Sequence, residues 1–96
     1  MNMQAMLKQA QKLQSEMMKE KKAIDETIFE GSSPLVTVKA YGNKKIESVS
    51  INDEAMSDKE MLEDMLLIAF NDVIDKIDKK TDEKMGKYTN GMSGLF

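Results

Sequence analysis

Cysteine and histidine are both missing from this chain of 96 residues. Without cysteine there can be no disulfide and no thiolate metal site. Without histidine the commonest metal ligand is gone, and with it the one side chain that titrates near neutral pH unperturbed. The remaining carboxylates show no calcium-loop spacing, and adjacent acids such as Glu63 and Asp64 point apart on a helix. Metal catalysis and nucleophilic triads therefore have almost no raw material, so neither an enzyme nor a cofactor is expected. Arginine and tryptophan are absent too: all 14 positive residues are lysines. The longest apolar run, Met65 to Phe70, is far too short to cross a bilayer. No signal or transit segment is visible. These absences give the expectation of a cytoplasmic chain.

What is present fits one small α+β domain. A chain of this size buries a modest share of its surface, so a staple or a partner is common. With disulfides and metal excluded, the staple left is dimerisation. The balance is acidic, with formal net charge -3 and a pI near 5.0, which weighs against nucleic acid. Its distribution weighs the other way. Residues 1–22 hold five lysines against two acids, and the rest holds nine lysines against fifteen acids.

No glycine or proline interrupts the first 30 residues, and helix formers dominate them. A helix is expected over 1–26. Met3, Ala10, Met17 and Ile24 form one column of a heptad seam, with Met6 and Leu13 as the other. Such a seam suits either a helix lying on its own core or one paired with a second chain. Lys8, Lys12, Lys19 and Lys22 recur at spacings of four, seven and three on the side away from the seam. They read either as a solvated outer face or as a footprint for an anionic partner.

Three strands are expected within 27–52. Thr27 to Glu30 is short and β-prone, closed by the turn cluster Gly31-Ser32-Ser33-Pro34. Leu35 to Tyr41 alternates, with Val36, Val38 and Ala40 on one side. Gly42-Asn43-Lys44 reads as a tight turn in which Gly and Asn take positive φ. Ile46 to Asn52 follows, with Val49 and Ile51 facing one way, and loops this short make a three-stranded antiparallel meander. Ser57 to Glu60 reads as a capping box that opens a second helix over 57–85. Leu62, Met65, Leu66, Ala69, Val73 and Ile77 form its broad stripe, which is core rather than a ligand box. Gly86 reads as the helix stop, and 86–96 as a mobile tail.

In this order several words stand out. The opening Met6-Leu7-Lys8-Gln9-Ala10-Gln11-Lys12-Leu13-Gln14, the strand Ile46-Glu47-Ser48-Val49-Ser50-Ile51, the run Ala69-Phe70-Asn71-Asp72 and the segment Glu83-Lys84-Met85-Gly86-Lys87 resemble the YbaB/EbfC family. The similarity covers essentially the whole chain. It implies an α-β-β-β-α subunit, a homodimer with projecting N-terminal helices, and a bacterial nucleoid-associated protein that binds double-stranded DNA. Asn52 stands where the family usually has Asp, and Val73 where a second Ala is common. The family supplies no catalytic motif and no short motif for DNA contact.

The DNA-facing residues are therefore expected from charge alone: Lys8, Lys12, Lys19 and Lys22, with Lys44 and Lys45 as a fallback site. Lysine acts as a point charge on phosphate, whereas bidentate reading of guanine comes from arginine, so weak sequence preference is expected. The competing expectation is a protein-interaction module that meets a replication or recombination protein through an exposed apolar patch near Phe29, Tyr41, Leu95 and Phe96. Membrane-surface binding by the first helix lacks Trp or Phe anchors.

Overall fold

The structure, a computed structural model, describes residues 2–89 of the chain. Helix α1 spans Met3–Glu26, strands β1, β2 and β3 span Ile28–Ser33, Val36–Tyr41 and Ile46–Ile51, a 3-10 turn covers Asp53–Ser57, and helix α2 runs over Lys59–Thr89. The three strands form one antiparallel sheet in the order β1-β2-β3.

The core is where the alternation placed it. Val36, Val38 and Ala40 of β2 are buried against Ala69, Val73 and Ile77 of α2, with Phe29, Leu62, Met65, Leu66, Phe70 and Ile74 packed around them. The helix sits over β1 and β2, leaving β3 uncovered. The register pairs Val36 with Ile51, Val38 with Val49 and Ala40 with Ile46. Directly paired residues share a face of the sheet. Ile46, Val49 and Ile51 therefore extend the core face sideways, yet they remain 41%, 42% and 37% exposed.

Several local features differ from the sequence expectation. β1 continues through Gly31, Ser32 and Ser33, and the turn is Pro34-Leu35. Gly31 is a packing glycine: a Cβ there would lie 2.4 Å from Val73 N and 2.5 Å from Ala69 O. In the β2–β3 turn the positive φ belongs to Lys44, at 72°, rather than to Asn43, whose Oδ1 accepts the Lys45 N–H at 2.9 Å. Gly42 is needed because Ile24 O would lie 1.9 Å from any Cβ.

The α2 cap is Asp58, one residue later than expected. Its backbone is extended, and Oδ1 accepts the Met61 N–H at 3.1 Å. Ser57 ends the preceding turn instead, its hydroxyl donating to Glu54 O at 3.2 Å. Asn52 opens that turn by accepting the Glu54 N–H at 2.9 Å, a role its side-chain oxygen shares with Asp. Gly86 does not stop α2, which continues to Thr89. Met85 and Tyr88 flank it and are buried against Ile24, so packing outweighs glycine's weak helix propensity. The expected tail thus begins as helix, and 90–96 lies outside the described residues.

Ile24, Met85 and Tyr88 form a second small cluster, joined by Met17 and Phe29. Glu20 meets Lys87 at 3.3 Å beside it. Moving back along α1 from Ile24 to Glu20 to Met17 moves forward along α2, so the two helices are antiparallel here. α1 consequently overshoots the end of α2, and every residue from 2 to 16 is exposed. The molecule measures 69 × 20 × 14 Å. Two antiparallel helices overlapping only at this junction account for that length, at about 1.5 Å rise per residue.

Candidate nucleic-acid interface

The overshooting part of α1 is an arm. Asn2 caps it, its side-chain oxygen accepting the Gln4 N–H at 3.0 Å. At about 100° per residue, Lys8, Lys12 and Lys19 fall within roughly 40° of one another, with Lys22 roughly 40° further round. Met3, Met6, Ala10, Leu13 and Met17 occupy the opposite side. The stripe runs about 21 Å along the helix from Lys8 to Lys22, continuous from the arm to its root.

All four lysines are exposed. Among the described residues none of them makes an ion pair, whereas Lys21, Lys44, Lys59, Lys76 and Lys87 each face a carboxylate. An ammonium already held by a neighbour has less to offer a phosphate, and this contrast separates the stripe from Lys44 of the fallback site. Lys44 sits 3.0 Å from Asp78. Lys45 is exposed in the β2–β3 turn without such a partner among the described residues.

The sequence reading missed Lys80 and Lys84. They line a groove at the arm's root together with Glu20, Ala23, Ile24, Thr27 and Phe29. Their spacing of four is that of one helix face, and lysines near a helix C-terminus also suit the macrodipole, so nothing in the sequence singles them out. Only the fold of α1 back along α2 brings them to the root of the arm.

The junction itself is polar on one flank. Lys87 has its pKa raised above the usual lysine value, first by its hydrogen bond to Glu20 and then by Tyr88, whose ring centroid lies 5.0 Å from the ammonium. At the far end of the long axis, Asp53, Glu54, Asp58, Glu60, Glu63 and Asp64 crowd the start of α2, with Lys59 the lone cation among them. Charge is thus segregated along the molecule, basic at the arm and acidic at the opposite end. That segregation reconciles a net charge of -3 with a locally basic arm.

Of the residues near which an apolar patch on the dimer is expected, none is fully exposed among the described residues of the subunit. Phe29 is half-buried between the two clusters, Tyr41 is half-buried, and Leu95 and Phe96 lie outside the described residues. Exposed apolar side chains gather elsewhere: on the arm, on β3, and at Leu67 and Ile68 of α2.

Comparison with known proteins adds three findings. The model of the YbaB/EbfC DNA-binding family matches residues 1–92. Proteins named nucleoid-associated protein match from end to end. One from Ligilactobacillus salivarius is 46% identical, covering 99% of this chain and 95% of its own. One from Lactococcus lactis subsp. cremoris is 44% identical, covering 96% and 97%. Among solved structures, an uncharacterized protein from Helicobacter pylori superposes with a TM-score of 0.79 at 18% identity, covering 94% of this chain and 99% of that one. That likeness shows the fold.

Proposed function

Since the chain belongs to the YbaB/EbfC DNA-binding family, we propose that it is a nucleoid-associated protein of the bacterial cytoplasm that holds duplex DNA by phosphate contact from the α1 arm. The observation that carries the placement is the unpaired stripe of Lys8, Lys12, Lys19 and Lys22 on the side of α1 away from its apolar seam. Phosphate contacts fix position without reading bases, and a chain with no arginine lacks the usual bidentate guanine reader. Affinity is therefore largely independent of sequence and steeply dependent on salt. The acidic start of α2 repels the duplex and leaves the arm as the favoured approach.

The working unit is a homodimer. Ile46, Val49 and Ile51 continue the core face with nothing of this chain over them among the described residues, and Leu67 and Ile68 stand exposed on α2 at 62% and 51%. β3 is also an open edge, with unpaired backbone groups along its outer side. A second copy that covers β3 removes apolar surface and strand edge together. Because α1 enters the sheet through β1, the edge opposite β3, a dimer joined at β3 carries its two arms on its outer flanks.

The test is fluorescence anisotropy of a labelled random-sequence duplex, titrated from low to physiological salt, with the oligomeric state measured alongside. Binding that weakens linearly in log affinity against log salt is the expected result, with a slope near −0.9 per phosphate neutralised. Absence of binding at low salt overturns the reading.

A further inference from the structure

The apolar side of the arm has no role in the reading above. Met3, Met6 and Leu13 are 76%, 52% and 48% exposed, and among the described residues nothing packs on them. The positions that flank this seam are unusual for a solvated helix. From residue 2 to 15 the arm carries no acid, and its two cations, Lys8 and Lys12, both point away from the seam. Beside the seam stand Asn2, Leu7, Gln9 and Gln14. Two copies of this face can therefore meet without like-charge repulsion, which a face flanked by lysine could not do.

From this we infer that the arm is a second self-association surface, on which the arm of another dimer docks antiparallel. This rests on the DNA-binding reading only for its consequence, not for the contact. In an antiparallel heptad pair the two seam columns alternate across the interface. The register that uses the uncovered residues sets Met3 opposite Leu13 and Met6 opposite Ala10, so in each layer a flexible thioether fills the space beside a branched or small apolar partner. It also ends each arm tip just short of Met17, where the body of the partner begins. A parallel pair would instead stack Met3 on Met3 and bring two bodies to the same end. The arms of one dimer cannot supply this contact, since they leave from opposite flanks.

A seam of two heptads buries less than the roughly 1,200 Å² at which stable interfaces begin. Arm pairing is accordingly weak in free solution and becomes populated where DNA holds many arms close together. Each pair then presents one arm's Lys8 and Lys12 on one side and its partner's on the other. The paired arms bridge two duplexes.

The absence of native cysteine makes the test direct. Met3→Cys and Leu13→Cys variants are prepared separately, then oxidised alone and mixed, with and without DNA. In the antiparallel register residues 3 and 13 of different chains lie level, whereas identical positions are about 15 Å apart. The mixture should cross-link and neither variant alone should, and the product should run as four or more subunits under native conditions. In parallel, immobilised duplex should capture a second labelled duplex when wild-type protein is present. Met6→Lys, at an exposed position, should reduce both capture and cross-linking at least about tenfold, as a charge in a seam of this size costs. Its affinity for a single duplex should not fall, since the added ammonium can only strengthen attraction to phosphate. Cross-linking by either variant alone, a two-subunit product, or no product at high protein concentration each overturns arm pairing. Loss of single-duplex binding by wild-type protein would instead overturn the DNA reading, and cross-linking without DNA would still report on the arms.

Discussion

Gly31 lies against the backbone of Val73 so closely that a single added Cβ would approach Val73 N to 2.4 Å and Val73 Cβ to 2.6 Å. The contact sets how near α2 comes to β1, and hence how fully Ala69 and Val73 are buried. Neither backbone can move aside, as one is strand and the other mid-helix. Gly31→Ala is expected to destabilise the fold by about 1–3 kcal/mol, the usual range for overpacking. Urea denaturation should show a lower midpoint with an unchanged slope. A midpoint equal to wild type would mean that α2 rides higher on the sheet than described.

The same pair of elements is tied by charge. Asp72 Oδ2 accepts the Ser32 N–H at 2.9 Å and faces Lys76 at 3.1 Å, while Lys76 donates to Glu30 O at 3.0 Å. The Ser32 hydrogen bond, then Lys76, holds the Asp72 carboxyl below its usual 3.8, against a smaller opposing effect of burial. A depressed acid stabilises the fold above its unfolded pKa, and that contribution is lost as pH falls through the folded value. Asp72→Asn should therefore be less stable than wild type near neutral pH. The gap should close as pH drops below about 4, the unfolded pKa. Chemical denaturation of both proteins across that range reads the difference. A gap that stays constant with pH would assign the effect to shape rather than charge.

Much of this molecule is legible before folding, because the signals are periodic. The alternation of Val36, Val38 and Ala40, and the stripe through Ala69, Val73 and Ile77, each follow from one element's own repeat. Glycine roles are not legible in the same way. Gly31, Gly42 and Gly86 read as turn, turn and stop, yet Gly31 and Gly42 admit a neighbouring backbone and Gly86 lies inside a helix. Those roles depend on residues some 40 positions away, or on the other helix. The lysine stripe was visible as spacing. That its members make no ion pair among the described residues, and that Lys80 and Lys84 share a groove with Glu20 and Ala23 of α1, depends on how α1 folds back along α2.

The lysine assignment makes a graded prediction. Lys8→Gln and Lys12→Gln should each lower the salt slope of duplex binding by about 1 per engaged arm, so about 2 for a dimer gripping with both, and weaken binding alike for all sequences. Lys44→Gln should change the slope little, because Asp78 already holds that ammonium at 3.0 Å. All three positions are exposed, so thermal stability should stay within about 0.5 kcal/mol of wild type. Salt titrations of the three variants separate the outcomes. A larger loss at Lys44 than at Lys8 would move the DNA site from the arm to the β2–β3 turn.

The dimer surface can be tested without touching the arm. Val49 pairs with Val38 in the sheet and faces the same way, yet Val38 is fully buried and Val49 is 42% exposed. A lysine at Val38 would be buried without a partner and would unfold the chain. At Val49 the long lysine stem can lie along the strip and its ammonium can reach water in the single subunit. In a dimer closed over β3 two such ammonium groups would be desolvated at one interface. Val49→Lys is therefore expected to give a folded monomer, with circular dichroism like wild type and half the mass by sedimentation. Duplex affinity should then fall, because one arm is left where two had acted together. A dimer that persists in Val49→Lys would place the subunit contact away from β3, on the Leu67–Ile68 side of α2.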